Sequence, residues 1–243
     1  MPQPEGGEMK KHLLLSSAVV FIFILSMTNC KKETEVTEPE KEPFVIENLG
    51  IRFGPWDRVN NTAGDFLFLD ISNVTKIVSE FGVQVVSYDG SLKYLPTIDF
   101  IIREQAPVCA VAEGKVTRVF YQEGALDWEI GVQSRNDPDW EVGYDHLVDL
   151  QVEMDDIVEP GDTLGYPRPL FEGLAAFELM INSRKTGLSY CPFCCMNPDK
   201  LEAYEDSLIQ LIQDWETYKN DTTLYDESTF VYPGCLMESM VSY

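Results

Sequence analysis

Hydrophobic and polar positions alternate in short runs between residues 95 and 181, and turn residues separate the runs. Alternation with a period of two is typical of strands that bury one face. The candidate strands are Thr97–Arg103, Val108–Val111, Lys115–Tyr121, Trp128–Gln133, Trp140–His146 and Ala175–Ile181. The turns between them include Ala112–Gly114 and Glu159–Asp162. This spacing predicts a mainly β fold, an antiparallel β-sandwich.

Residues 44–94 have a less regular pattern, which we interpret as a β-rich segment packed on the core. Short strands are predicted at Phe44–Ile46, Ile51–Phe53, Asp65–Asp70 and Val83–Tyr88. Between the last two, Ser72 can cap a short helix that runs through Phe81, although this stretch also has strand character.

Residues 197–243 contain the one long helical pattern, from Pro198 to about Tyr218. Asn197 is a suitable N-cap, and Pro198 suits the first helical position. Leucine and isoleucine at positions 201, 208, 209, 211 and 212 lie on one helical face. The pattern assigns Trp215 to the opposite face, with the acidic residues. We therefore predict a C-terminal helical appendage followed by a tail.

The N-terminus has the three parts of an export signal. Lys10 and Lys11 precede an apolar run from Leu13 to Met27, which is too short for a stable membrane span, and Cys30 follows. A cysteine in this place resembles the lipobox of bacterial lipoproteins, although Asn29 departs from the small residue usual before the cysteine.

This pattern predicts a lipoprotein signal peptide over residues 1–29 and lipidation of Cys30. Residues 30–43 are charged and nearly devoid of apolar side chains, as in a disordered tether. We expect an exported protein, facing the periplasm or the cell surface, that is anchored to a membrane through Cys30. An uncleaved anchor or plain secretion are the alternatives.

The formal net charge of the 243-residue chain is -23. This charge argues against binding to nucleic acid and against direct docking on anionic lipid. It favours solubility or a basic partner.

Several strings, in a fixed order, resemble the M23 (LytM-type) zinc peptidases. Ala106-Pro-Val-Cys-Ala-Val-Ala-Glu-Gly-Lys-Val116 is similar to the strand pair of that family, and Tyr144-Asp-His-Leu147 to its tyrosine-x-histidine-leucine motif. Val158-Glu-Pro-Gly-Asp-Thr-Leu-Gly165 and Phe177-Glu-Leu179 match the hairpin and the strand that follow. The resemblance implies an M23-like β domain over residues 95–196.

The metal ligands that the resemblance implies are largely replaced. The family binds zinc through histidine, aspartate and histidine, and here Asp99 retains the aspartate. Leu95, or Lys93 in an alternative alignment, stands at the first ligand, and Ala176 at the last. Leu174 occupies the position of the histidine that polarises the water. One carboxylate does not supply the three protein ligands of a catalytic zinc, so no cofactor is expected.

His146 corresponds in this resemblance to a catalytic histidine, not to a ligand. Without a metal there is no water of low pKa for His146 to act on. We interpret His146 and Asp99 as vestigial. The alternative is a rearranged zinc site, in which Asp99, His146 and Glu172 are the ligands.

Five cysteines follow Cys30. Cys109 lies in a predicted core strand and suits a small buried hydrophobic residue. The others, Cys191, Cys194, Cys195 and Cys235, can form two disulfides in an exported protein. Cys235 could then link the C-terminal tail to the start of the helix. A structural metal site, or a redox pair formed by Cys191 and Cys194, are the alternatives.

Three hypotheses about function follow. The first is a catalytically inactive M23-like lipoprotein of the cell envelope that binds peptidoglycan or a protein partner, and thereby regulates cell-wall hydrolysis. The second is a divergent but active zinc metalloendopeptidase, with zinc as its cofactor. The third is a thiol-disulfide protein that uses Cys191 and Cys194.

Overall fold

The computed structural model describes residues 44–86 and 90–241. They belong to one compact unit, which spans Lys41–Tyr243. The predicted signal peptide, the lipidation site Cys30, the predicted tether and the last two positions of the strand Val83–Tyr88 lie outside the described residues.

The described part of the chain contains sixteen β-strands and one α-helix. The strands are β1 (Trp56–Asp57), β2 (Thr62–Ala63), β3 (Phe66–Leu67), β4 (Val78–Ser79), β5 (Gln84–Val86), β6 (Leu92–Tyr94), β7 (Ile98–Arg103), β8 (Val108–Cys109), β9 (Gly114–Gln122), β10 (Asp127–Ser134), β11 (Trp140–Val148), β12 (Ile157–Val158), β13 (Thr163–Phe171), β14 (Leu174–Ser183), β15 (Leu188–Tyr190) and β16 (Ser239–Val241). The helix α1 spans Pro198–Lys219, and short 3-10 helices span Pro192–Cys195 and Glu227–Thr229.

Most strands belong to one sheet of eleven strands, whose longest path is β12-β9-β10-β11-β13-β14-β15-β16. Strand β14 is central, because it pairs with β7, β11, β13 and β15, always antiparallel. Small sheets β1-β2-β3 and β5-β6 lie outside it. The predicted mainly β, antiparallel fold with a C-terminal helix is confirmed.

Alternation along β7 and β14 separates a core face from an open face. On β7, Ile98, Phe100 and Ile102 are buried. On β14, Phe177 and Leu179 are buried and the residues between them are partly exposed. The residues on the open face, Asp99 among them, can therefore contribute to a functional site.

Helix α1 begins where the sequence indicates. The side chain of Asn197 accepts a hydrogen bond from the Asp199 N–H at 3.0 Å and so satisfies a free donor of the first turn. The expected orientation of Trp215 is wrong. Its side chain is fully buried, and its indole Nε1 donates to the Thr75 carbonyl oxygen at 2.9 Å. The indole packs in the core that α1 shares with residues 44–86.

The predicted helix between Ser72 and Phe81 is also wrong, because a distant residue fixes this segment. The Tyr225 hydroxyl oxygen accepts from the backbone N–H groups of Ile77 and Val78, at 3.0 Å each. Val78–Ser79 then forms β4 against β7.

Three other predicted strands in this region are shorter or missing. Ile51–Phe53 forms no strand, since the Arg52 N–H donates to the side chain of Asp65 instead. Phe44–Ile46 contributes one isolated bridge, between Ile46 and Met196, and the predicted strand Asp65–Asp70 is reduced to β3.

The predicted disulfide at the C-terminal tail is confirmed, and joins Cys191 to Cys235. The prediction of a second bridge is wrong, because Cys194 and Cys195 are free thiols. They are adjacent in the chain, and Cys235 is already bonded. We expected Cys109 to be buried in the core. It is only partly buried, and it lines a cavity of about 420 Å³.

No helix within residues 44–86 and 90–241 has the length and the apolar character needed to cross a membrane.

Candidate functional site

Three carboxylates stand side by side on the open face of the sheet. Asp99 on β7 pairs with Glu178 on β14, and Glu178 pairs with Asp145 on β11. Directly opposed side chains in an antiparallel sheet are about 5 Å apart, and like charges in such pairs are destabilising. The row is therefore stable only if protons or cations reduce its negative charge.

A β-bulge brings His146 to the same face. Trp128 pairs with Leu147 and Ile130 with Tyr144, so that Asp145 and His146 together lie opposite Glu129. His146 has a φ of 63°, in the left-handed region that is uncommon for residues other than glycine. Strict alternation would direct His146 away from Asp145, and bulges re-aim side chains in this way, often beside active sites.

Two carboxylates contact the imidazole of His146, one on each ring nitrogen. Nδ1 lies 2.6 Å from Oδ2 of Asp127, and Nε2 lies 3.2 Å from Oε1 of Glu178. Asp145 Oδ1 is 3.8 Å from Nδ1 and accepts a hydrogen bond from the backbone N–H of His146 at 2.6 Å. The ring is largely enclosed, with 19% of the side chain exposed.

These contacts favour the imidazolium form of His146. Burial lowers the pKa of His146, but the hydrogen bond and charge of Glu178, followed by Asp127 and Asp145, raise it to about 9. At neutral pH the ring is therefore protonated and holds no free lone pair for general-base chemistry.

Asp99 is enclosed at the other end of the row. The Thr97 hydroxyl donates to Asp99 Oδ1 at 2.6 Å. Burial, reinforced by the charge of Glu178, raises the pKa of Asp99 to about 8. This raised pKa favours the protonated form of Asp99 at neutral pH.

Asp127, at the start of β10, is a site residue that the sequence analysis missed. Its side chain is fully buried, and Arg168 Nε lies 2.9 Å from the same Oδ2 atom that contacts His146. The other oxygen, Oδ1, has no hydrogen-bond partner among the described residues. No sequence signal marks Asp127, whereas Asp145 and Glu178 stand inside the quoted motifs, next to His146 and Phe177.

The residues at the family's metal positions do not fit a zinc ion. Asp99 offers the single retained donor, Leu95 is half-buried between β6 and β7, and Ala176 offers no ligand atom. Lys93 is exposed on β6, and its ammonium group is no zinc ligand. Glu172 is exposed in the β13–β14 turn. The carboxylate that contacts His146 Nε2 is Glu178, at 3.2 Å.

A second group of possible ligands does exist. Ligand atoms of Asp127, Asp145 and His146 lie within 4.8 Å of one another. Asp127 Oδ2 is already shared by His146 and Arg168, at 2.6 and 2.9 Å. A metal ion bound to His146 Nδ1 would have to displace the contact of that atom with Asp127 Oδ2, whereas Asp127 Oδ1 has no hydrogen-bond partner among the described residues.

The open face continues past this cluster onto β9 and β10, where the side chain of Arg118 packs over Gly131. Gly131 and Gly143 face each other across β10 and β11, and a Cβ atom at Gly131 would lie 3.0 Å from the side chain of Arg118. Arg118 Nη2 lies 3.0 Å from a carboxylate oxygen of both Glu129 and Glu141.

Comparison with known proteins gives fold-level similarity only. No protein family model and no curated protein matches the sequence. Among solved structures, the catalytic domain of lysostaphin from Staphylococcus simulans matches at 20% identity and a TM-score of 0.35, over 43% of this chain and 78% of that one. The M23 protein EnpA from Enterococcus faecalis matches at 18% identity and a TM-score of 0.36, over 48% and 87%.

The solution structure of lysostaphin matches at 18% identity and a TM-score of 0.35. This match covers 42% of the present chain and only 41% of the lysostaphin chain. Similarities at this level transfer no activity. Two of the motif strings, Tyr144–Leu147 on β11 and Phe177–Leu179 on β14, lie on neighbouring strands, and β7, which contains Asp99, pairs with β14 on its other side. The described part of the chain contains a mainly antiparallel β domain, and its relation to the M23 peptidases stays an interpretation of the sequence motifs.

Proposed function

We propose that this chain is an exported, lipid-anchored protein of the cell envelope whose M23-like domain binds peptidoglycan or a protein partner without hydrolysing it. One observation carries the proposal: Leu95, Leu174 and Ala176 stand where the family places metal ligands and a water-polarising histidine. Hydrocarbon side chains at these positions offer neither a ligand nor a proton acceptor.

The two retained residues support the same conclusion. Hydrolysis in this family depends on a metal-activated water and on a group that accepts a proton. Asp99 is largely protonated and lies beside Glu178, and His146 forms ion pairs with Asp127 and Glu178. Both residues make structural contacts that do not require a metal.

The open face of the sheet is the surface we assign to the partner. It contains the half-buried side chains of Ala176 and Met180 as well as the acidic cluster. Regulation of cell-wall hydrolysis is the role that the resemblance implies, with peptidoglycan or a hydrolase as the partner.

Two measurements on the soluble Cys30→Ser protein test the absence of hydrolysis. Elemental mass spectrometry after incubation with zinc and desalting is expected to find no stoichiometric metal. Digestion of purified peptidoglycan is expected to release no new amino groups above the rate of a His146→Ala variant. One zinc per chain together with cleavage that is lost in His146→Ala would overturn the proposal.

Binding is tested by sedimentation with insoluble peptidoglycan sacculi. Met180→Glu adds a negative charge to the open face and is expected to reduce the bound fraction. Gln213→Glu adds the same charge on an exposed position of α1 and serves as the matched control. Equal binding of both variants would show that the open face is not the peptidoglycan surface.

A divergent metal enzyme is the second candidate, because Asp127, Asp145 and His146 bring ligand atoms within 4.8 Å. Zinc that binds to the parent protein but not to an Asp127→Asn variant would favour it. The thiol-disulfide hypothesis has less support, since Cys191 is bonded to Cys235 and not to Cys194.

Anchoring through Cys30 is tested separately in a bacterial expression host fed with labelled palmitate. We expect label in the parent chain and none in Cys30→Ser, with the parent in the membrane fraction. Equal fractionation of an unlabelled parent and the variant would refute the anchor.

A further inference from the structure

Four cysteines lie together where the C-terminal tail meets the sheet, outside the site described above. Cys191 precedes the 3-10 helix Pro192–Cys195 and is bonded to Cys235, with 6.1 Å between the two Cα atoms. Cys194 is an exposed free thiol, and Cys195 is a buried one. A disulfide with a free thiol in the same turn has the components of an exchange reaction.

The geometry of the turn places Cys194 beside Cys191. The Cys194 N–H donates to the Cys191 carbonyl oxygen at 3.0 Å, which closes a turn between residues three apart. The Cα atoms at the two ends of such a turn are within about 7 Å of each other. The Cys191–Cys194 pair therefore has the Cα separation that a disulfide can span.

Both cysteines also contact the same atom of the tail. The Glu238 carbonyl oxygen accepts from the Cys191 N–H at 2.9 Å and contacts Cys194 Sγ at 3.6 Å. The Cys194 thiol therefore lies on the side of the turn that faces the tail.

We propose that the Cys191–Cys235 disulfide isomerises, with Cys194 as the attacking thiol, to a Cys191–Cys194 disulfide and a free Cys235 thiol. Cys194 loses its proton, and its sulfur attacks Sγ of Cys191. The Cys191–Cys194 bond forms as the Cys191–Cys235 bond breaks, and the departing Cys235 sulfur takes up a proton. No oxidant or reductant is consumed.

The exchange would change how the tail is held. The present bridge joins residues 44 positions apart, whereas the new one closes only a local turn. Afterwards the tail is held by non-covalent contacts alone, chiefly the pairing of β16 with β15 and the hydrogen bond from Leu236 N–H to the Phe81 carbonyl oxygen at 2.9 Å. The thiol state of the turn thereby controls whether a disulfide cross-links the C-terminal tail to the turn that follows β15.

The surroundings of Cys194 make the exchange slow at neutral pH. Burial and the charge of Glu238 raise the pKa of Cys194 to about 11, and Cys195 and Tyr232 are the other titratable groups that face it. The thiolate is the attacking species, so the rate should rise by about tenfold per pH unit between pH 7 and pH 9.

Peptide mapping without reduction tests the proposal on the Cys30→Ser full chain. The protein is incubated at pH 7, 8 or 9, quenched with acid, alkylated with N-ethylmaleimide and digested with trypsin. Cleavage after Lys185 and Lys200 isolates Cys191, Cys194 and Cys195 in one fragment, and cleavage after Lys219 isolates Cys235 in another. We expect alkylated Cys235 and an internally bridged Cys191–Cys194 fragment, both forming faster at higher pH.

Two single substitutions identify the attacking thiol. Cys194→Ser should leave Cys235 bonded to Cys191 at every pH, and Cys195→Ser should behave as the parent does. Persistence of the Cys191–Cys235 bridge in the parent after hours at pH 9 would overturn the proposal. Equal alkylation of Cys235 in Cys194→Ser would also overturn it.

Discussion

Asp99→Asn should stabilise this protein, and by an amount that grows with pH. The Asp99 carboxyl is buried beside Glu178 and its pKa is about 8, against an ordinary value of 3.8. Folding above pH 4 therefore requires this group to bind a proton that the unfolded chain has released. An asparagine amide has nearly the same shape, keeps an oxygen that can accept from Thr97, and carries no charge to bury.

The sign and the size follow from linkage. A carboxyl with a raised pKa contributes stability that is fully present below its unfolded pKa and is lost as pH rises toward its folded pKa. The pH window is therefore about 4 to 8. Each pKa unit corresponds to about 1.4 kcal/mol, so the advantage of Asp99→Asn over the parent should grow by about 3 kcal/mol between pH 5 and pH 7.

Urea unfolding of both proteins at pH 5, 6 and 7, followed by tryptophan fluorescence, measures the difference directly. Asp149→Asn is the matched control, because Asp149 is exposed and asparagine tolerates its φ of 46°. A constant difference between Asp99→Asn and the parent across these pH values, or a less stable variant at pH 7, would refute the assignment of a buried, protonated Asp99.

Other substitutions probe the C-terminal part of the fold by urea unfolding. Trp215→Ala should lower the free energy of unfolding by about 3–5 kcal/mol, because it empties a buried site and leaves the Thr75 carbonyl oxygen without its donor. A loss under about 1 kcal/mol would contradict the packing of α1. Asn197→Ala should cost about 1 kcal/mol through loss of the N-cap, and no cost would show that the cap is dispensable. Replacing Cys191 and Cys235 by serine should cost about 2–4 kcal/mol, an effect that should vanish if the parent is measured under strong reductant.

The regular part of the fold could be predicted because its signals are local. The start of α1 depends on Asn197 and Pro198, which are adjacent in sequence. The alternation in β7 and β14 identifies a buried face without knowledge of the partner strand. The segment from Ser72 to Phe81 could not be predicted in this way, because its backbone conformation depends on a residue far away in the sequence. The Tyr225 hydroxyl oxygen accepts a hydrogen bond from the N–H of Ile77, which is 148 positions earlier in the chain.

The candidate site was predictable only in part for the same reason. The motifs identify Asp99 and His146, and the strand register then brings in Glu178 and Asp145. The contact of His146 with Asp127 depends on a bulge between β10 and β11, and a bulge has no signature in a single sequence. Sequence reasoning therefore identified the two retained residues but not the carboxylates that surround them.

Protons and an arginine offset part of the negative charge of the cluster. The raised pKa values of Asp99, about 8, and of His146, about 9, favour the protonated form of both groups at neutral pH. Arg168 supplies a further positive charge, 2.9 Å from Asp127. Removal of Arg168 should then make the cluster more receptive to a cation. Isothermal titration calorimetry is expected to show that Arg168→Gln binds zinc measurably more tightly than the parent does. If the parent binds zinc as tightly as this variant, the arginine does not replace the charge of a metal ion. The non-hydrolytic proposal then loses its electrostatic support.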